Sequence, residues 1–355
     1  MATASTVSAR LPLAGPRWIE SAAFDLPFFI LAPLVTLPIA AASLAGVHVI
    51  PVLGFVLAFA HYLSTFAFFL WDENRERHRA RWLAFFGGPA LIAAVFFWLV
   101  AFRVPLAIQF VIFFWNVFHV SRQSSGILSL YRHRAGVYDP RQKGVANAAV
   151  LAANLWFALW NVETHQEVFR VFNALDPRMT RALWLAAGAV AVLLTARLAA
   201  ALVRRAQEGS APGAAELLIV GTAFALFHPY LWLPDSGGAT FAMLLPHYLQ
   251  YLGMVWLLHR RKFRQDAGSL PQRLLARVSA STLLLAGLLA LLTLTVLAVK
   301  LTLGRAGYAE HFESFYLLLA LVHFYLDGLF WAFRDPHVRR TMAPYLTGGA
   351  SAASG

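Results

Sequence analysis

The chain has 355 residues, 59% of them hydrophobic and 13% charged, with a formal net charge of +12. Soluble domains run nearer about 45–50% apolar and about 25% charged, so this composition excludes an ordinary soluble globular protein. The positive charge lies in short loops between apolar runs, which points to membrane topology and anionic lipid rather than to nucleic acid.

A bilayer pass needs roughly 20 mainly apolar residues. Ten segments qualify in chain order: 24–46, 50–71, 82–102, 104–130, 145–160, 182–203, 216–234, 239–259, 278–299 and 313–333. The third and fourth join tightly at AFRVP, where Pro105 suits the start of a new helix. The expected fold is all-α, a polytopic integral membrane helix bundle of about ten transmembrane helices. It forms one domain over residues 24–333, flanked by an N-terminal segment 1–23 and a tail 334–355. No apolar run in the first 20 residues resembles a cleaved signal. Ten passes put both ends on one side. That side collects all but six of the 29 Lys and Arg, the exceptions being Arg103, Arg170, Arg178, Arg181, Lys300 and Arg305. The asymmetry predicts cytoplasmic termini in a bacterial inner membrane. The loop 161–181 is expected as an interfacial segment on the outer side.

Cysteine is absent, which removes thiolate ligands, cysteine nucleophiles and disulfides from consideration. Histidine, in contrast, occurs twelve times. His78, His133, His259 and His337 fall in or beside basic loops, where a solvated or headgroup-facing side chain is expected. His48, His165, His228 and His311 belong to the outer loops or span ends and suit structural or surface roles. Glu163 and His165 stand two residues apart in a loop that should be wet.

The other four are intramembrane: His61 in LAFAHYLSTF, His119 in WNVFHVSRQ, His247 in LLPHYLQYLG and His323 in LVHFYLDG. They occupy the second, fourth, eighth and tenth expected spans, which all run in the same direction. Their separations from Asp72, Arg132, Arg260 and Arg334 are 11, 13, 13 and 11 residues. At helical rise that is roughly 17–20 Å from the inner end, one common depth near the midplane. One turn further in, each is followed by a polar residue, Thr65, Gln123, Tyr251 or Asp327, on the same helix face. Polar groups at membrane depth face a protein interior or a cavity. A lone buried imidazole would be read as an interhelical hydrogen bonder. Four at one level predict a shared metal or cofactor site, with imidazole suited to iron, copper or zinc.

Arg122 lies three residues beyond His119 and needs a partner if buried. Asp327 is at similar depth, so an Arg122–Asp327 pair is expected. The alternative is that Asp327 accepts a hydrogen bond from a ligand imidazole, and Gln123 could do the same. Tyr248 and Tyr251 could line a substrate cavity or donate to bound oxygen. The aromatic content, 14% of the chain, includes Trp115, Phe324, Tyr325 and Trp331 beside the histidines. It reads either as helix-packing bulk or as an apolar tunnel for a long lipid or polyene.

The HxxxH and HxxHH boxes of membrane desaturases and hydroxylases do not occur. HFYLDGLFWAFRDP, residues 323–336, resembles the terminal histidine helix of the Brp/Blh-type membrane carotenoid dioxygenases. There a His is followed by an Asp, one residue further on than here, and then by aromatics and an Arg-Pro end. The resemblance implies one iron held by four imidazoles from different helices, cleaving β-carotene to retinal. His323 matches as a ligand and Asp327 as its companion. The family's early Pro-His-Gly-Ala-x-Asp motif is replaced by AFAHYLSTF, and its HFG-type motif is missing.

The function expected is a membrane non-haem iron oxidoreductase acting on a carotenoid, isoprenoid or acyl lipid, with an unidentified redox partner. His61, His119, His247 and His323 are its expected ligands. A haem-b electron-transfer protein is the second expectation. A transporter or scaffold with a metal-free polar core is the third, ranked last because matching broken helices are not visible in two halves.

Overall fold

A computed structural model describes residues 18–45, 49–165, 176–233, 236–263 and 268–347. Most of the N-terminal segment, the end of the tail, His48, Arg170 and the middle of loop 161–181 lie outside the described residues, as does the His165 side chain. All regular structure among the described residues is helical: α1 Ala22–Asp25, α2 Thr36–Leu44, α3 Val49–Phe66, α4 Asp72–Ala80, α5 Gly88–Ala101, α6 Pro105–Ala135, α7 Pro140–His165, α8 Pro177–Gln207, α9 Ala214–Ala225, α10 Pro229–Trp232, α11 Ser236–Lys262, α12 Leu270–Ala280, α13 Thr282–Arg305, α14 Ala309–Phe330 and α15 Pro336–Thr347.

Among the described residues, six helices are long and apolar enough to cross a bilayer: Leu83–Ala101, Pro140–Glu163, Pro177–Gln207, Gly238–Lys262, Thr282–Arg305 and Ala309–Phe330. They coincide with the third, fifth, sixth, eighth, ninth and tenth expected passes. The other four depart for local reasons. The first is bent by 60° between Ala22–Ile30 and Ala32–Ala42, where Pro27 and Pro33 remove backbone donors and crowd the preceding turn. The second tightens into a 3-10 turn at Ala67–Leu70. The fourth, α6, is a continuous 31-residue helix, but Asn116, Arg122, Gln123 and a row of serines dilute its apolar content. The seventh is a 12-residue helix that stops before Pro229. In α13 no residue is buried. A helix this apolar all round is stable only where lipid covers it.

Carbonyls freed at the break in the first pass are taken up by other helices, as a dry interior demands. Gln250 Nε2 donates to Phe29 O at 2.9 Å and Thr222 Oγ1 to Ile30 O at 2.8 Å. The Thr36 hydroxyl donates to Pro33 O at 2.7 Å, and His228 Nε2 lies 3.2 Å from the same oxygen. His228 also accepts from Trp232 Nε1, in keeping with the structural role expected of it.

The central pair is α3 and α11. They approach closely at Gly54, where a Cβ would sit 2.6 Å from the Phe241 ring. At the basic end the loops pack into a polar layer. Asp335 binds Arg77 at 2.7 Å and Arg81 at 3.0 Å, and Glu20 pairs with Arg260 and Arg261. Glu216 is buried between Arg132 and Arg205, each at 2.7 Å. Burial opposes ionisation of Asp335. The Arg77 hydrogen bond, the His337 backbone N–H and the charges of Arg77 and Arg81 outweigh it and hold the carboxyl below its usual range.

This layer corrects the solvated reading of two histidines. His259 is buried, accepts from Trp71 Nε1 at 3.1 Å and places Nδ1 2.7 Å from Val255 O. His78 is buried against the rings of Phe69, Phe85 and Phe330. The loops fold back onto aromatic side chains, so loop position in the sequence did not mean exposure. Burial, with the charges of Arg77 and His337 beside it, lowers the His78 imidazole from 6.5 to about 4. The unfolded chain therefore takes up this proton first. The ring supports the fold fully above pH 6.5 and progressively less as pH falls from there to about 4. His78→Phe is expected to lose less melting temperature across that window than the parent protein. Equal losses would show that His78 is not the group responsible.

Candidate metal centre

Each of four helices brings one imidazole to the same place: α3 His61, α6 His119, α11 His247 and α14 His323. Ring centroids are separated by 4.2 Å (His61–His323), 4.8 Å (His61–His247), 5.0 Å (His119–His323), 5.1 Å (His119–His247) and 6.4 Å (His61–His119). His61, His247 and His323 are completely buried and His119 is 8% exposed. Six of their ring nitrogens have no hydrogen-bond partner: both of His61, both of His247, Nε2 of His119 and Nε2 of His323. Each such buried orphan costs about 1–3 kcal/mol.

A hydrogen-bonded belt lies one turn along the helices. Asp327 Oδ1 accepts from Tyr251 OH at 2.7 Å and Thr65 Oγ1 at 3.1 Å, and Trp331 Nε1 donates to Tyr251 OH at 3.2 Å. Thr65 Oγ1 lies 2.8 Å from His323 Nδ1. A threonine hydroxyl has one proton. With that proton on Asp327 or on Tyr251 OH, 2.7 Å away, Thr65 can only accept from His323, which places the imidazole proton on Nδ1 and leaves Nε2 bare. Asp327 Oδ2 turns toward the imidazoles, 3.7 Å from His323 Nε2 and 3.9 Å from His119 Nε2. Two overlapping sets of potential ligands result, His61–His119–His247 and His119–His323–Asp327, with the donor atoms of each set within 4.8 Å of one another. Buried imidazole nitrogens without hydrogen-bond partners, with one carboxylate oxygen near them, fit a divalent transition metal.

Three of the four residues expected one turn below the histidines, Thr65, Tyr251 and Asp327, form this belt. Gln123 does not join it. Its Nε2 donates to the backbone oxygen of His247 at 2.9 Å and reaches Gln250 Oε1 at 3.5 Å. It therefore positions the α11 backbone rather than an imidazole. The expected Arg122–Asp327 pair is not formed. Arg122 is exposed. With the Asn147 amide turned to suit its neighbours, the Asn147 oxygen accepts from Arg122 Nη1 at 3.3 Å. Three residues beyond His119, the side chain has rotated about 60° off the histidine face, toward α7 and the surface. Asp327 instead takes its hydrogen bonds from neutral hydroxyls. Glu163 accepts from Thr180 Oγ1 at 3.0 Å.

Tyr248 stands on the other side of the rings, in a group the sequence reading missed. Its hydroxyl lies 3.4 Å from that of Tyr62 and 3.5 Å from that of Tyr316, and Tyr62 donates to Tyr316 at 3.4 Å. All three tyrosines are at least nine-tenths buried. Two signals for them were present. The tripeptide His-Tyr-Leu occurs at both 61–63 and 247–249, and Tyr316 precedes His323 by seven residues, two turns along one face. Compared with protein-family models, with curated proteins and with solved structures, the chain matches none.

Proposed function

We propose that the protein is a membrane-embedded oxidoreductase with a histidine-ligated non-haem iron, acting on a lipid-soluble substrate. The observation that carries this reading is the set of six unpartnered imidazole nitrogens from four helices, with Asp327 Oδ2 aimed at them. His61, His119, His247 and His323 are the proposed ligands. Iron bound there supplies one-electron and oxygen chemistry. The chain's own residues set the rest. Thr65 fixes the tautomer of His323. Tyr251 and Trp331 hold Asp327 in place. Tyr62, Tyr248 and Tyr316 offer hydroxyl protons on the opposite side, and the surrounding aromatic rings exclude water. The resemblance of residues 323–336 to the Brp/Blh-type carotenoid dioxygenases favours iron and an isoprenoid substrate within this reading. Copper and zinc fit the same donors. Haem b fits less well, because a porphyrin needs a slot free of side chains around its axial ligands. Here the Tyr248 and Tyr251 rings lie 4.9 and 4.2 Å from His61, within the same cluster. The cluster of bare nitrogens likewise makes a metal-free transporter or scaffold the weaker alternative.

The topology proposed is ten passes with both ends cytoplasmic. It counts the bent first pair, α3 with its 3-10 turn, α6 and the α9–α10 pair as passes beside the six apolar helices. The length of α6, about 46 Å at helical rise, exceeds a hydrocarbon core of about 30 Å.

Detergent-purified protein expressed with added iron should contain iron and show no Soret absorbance. His61→Ala and His323→Ala should each lose the metal. Metal-free parent protein, or full retention in both variants, would sink the ligand assignment. Asp327→Asn is expected to weaken metal retention against a chelator by about 10–100-fold, the usual effect of removing a group that supports metal ligands; unchanged retention would confine Asp327 to helix packing. The absence of native cysteine makes topology directly testable. Glu208→Cys should react with an impermeant maleimide only after the cells are opened, and Tyr308→Cys in intact spheroplasts. Reaction of both from one side would overturn the ten-pass arrangement.

A further inference from the structure

The stripe of α6 that faces away from the bundle changes character along its length. Val111, Phe114 and Phe118 are exposed apolar side chains at steps of three and four residues. The next two positions at helical spacing are Arg122 and Gly126, both exposed. Large apolar side chains in such a stripe are covered by lipid tails. An arginine that continues the stripe carries its charge into the edge of the hydrocarbon, where it needs an anion or polar partners.

The surroundings of Arg122 are polar but not acidic. Asn147 on α7, its amide turned as described above, accepts from Arg122 Nη1 at 3.3 Å and donates to Ser125 Oγ at 3.0 Å. Lys143, one turn before Asn147, lies within electrostatic reach of Arg122, so a second positive charge faces the first. Among the described residues neither cation stands at ion-pair distance from a carboxylate. Asp139, one turn before Lys143, is engaged at the start of α7, where Oδ1 accepts from Arg141 N at 2.9 Å. The space beside the two cations is open: a Cβ on Gly126, one turn from Arg122, or on Gly144, next to Lys143, would meet nothing within 4 Å. On the loop side Lys143 is bordered by Tyr138, whose ring lies 5.9 Å from Nζ and stacks on His133 at 3.8 Å. Lys143 and Asn147 are three and seven residues from Pro140, where α7 begins, about 5 and 10 Å inside the basic end of that span. Lysine and arginine side chains reach from such depths to the head-group level.

We propose that Arg122 and Lys143 together hold the phosphate of an anionic phospholipid, whose tails lie along Phe118 and Phe114. The guanidinium fork matches two phosphate oxygens, and the lysine adds a point charge beside it. Charge selects the head group. Two cations with no acid between them favour a lipid of net negative charge, such as phosphatidylglycerol. Phosphatidylcholine brings the same phosphate but adds an ammonium, which the second cation repels. The site explains why an arginine three residues from His119 turns away from Asp327: its counter-charge comes from the bilayer. It is independent of the histidine cluster and of the metal proposed there.

Native mass spectrometry of the full chain tests this, with the protein released from detergent micelles that hold equal amounts of phosphatidylglycerol and phosphatidylcholine. The parent protein should retain phosphatidylglycerol in preference to phosphatidylcholine. Arg122→Gln and Lys143→Gln should each weaken that retention about fivefold, the usual effect of one basic residue at an anionic surface. Gly126→Leu keeps both charges but fills the open space, and should weaken retention as well. Arg141→Gln removes an exposed charge two residues from Lys143 and should leave retention unchanged. Millimolar inorganic phosphate should fail to displace the lipid, because it lacks the tails that cover Phe118 and Phe114. Equal retention of the two lipids, unchanged retention in both Arg122→Gln and Lys143→Gln, an equal loss in Arg141→Gln, or displacement by inorganic phosphate would each overturn the proposal.

Discussion

Imidazole nitrogens packed ring against ring and without a hydrogen-bond partner are the constraint around which this bundle is arranged. Six such atoms cost on the order of 10 kcal/mol together. That is comparable with the whole stability of a typical domain, about 5–15 kcal/mol. A helix bundle that could satisfy four histidines by small rotamer changes would be expected to do so, since hydroxyls and amides are close at hand. Instead, Thr65 takes only the far nitrogen of His323, and the one carboxylate in reach shows its second oxygen to the imidazoles. The neighbours turn the bare nitrogens toward one another rather than away, as a cation bound among them would require.

The same economy of polar contacts governs the backbone. Prolines break the first pass, and the carbonyls so exposed are taken by Gln250 and Thr222 from other helices. Gln250 also receives Gln123, which holds the main chain of α11 at His247. One chain of side-chain amides thus runs from the break in the first pass to the backbone of a proposed ligand. The bent segment is part of the frame that fixes the height of His247, and its irregularity has a structural use.

The four histidines and their common depth were legible because helical periodicity and the basic loops fix both face and height. The residues one turn below were legible as a set, but their partners were not. Spacing places Gln123 on the right face and says nothing of whether its amide will meet a ring or a carbonyl. Arg122 was read by depth alone, although a step of three residues and a long side chain carry it out toward α7. His78 and His259 stand in or beside charged loops yet are buried, because Phe69, Phe85 and Phe330 cover the first and Phe68, Trp71 and Phe263 the second. Tyr62 and Tyr316 escaped notice because tyrosine is ordinary in an aromatic-rich span, and only the repeated His-Tyr-Leu set two of the three apart. Six of the ten expected passes are long apolar helices; in the other four, proline or polar residues interrupt an apolar run that composition alone treats as continuous.

The three tyrosines have a property that follows from their spacing. Each hydroxyl carries one proton and can accept another, so a ring of three is self-sufficient in number. Yet its sides are 3.4–3.5 Å, well beyond the usual length of about 2.7–2.8 Å between hydroxyls. The ring is complete but slack. The three hydroxyls thus share their protons through long contacts beside the histidine cluster, and this face of the cluster is held less tightly than the one at Thr65, Tyr251 and Asp327, where the contacts are 2.7–3.1 Å.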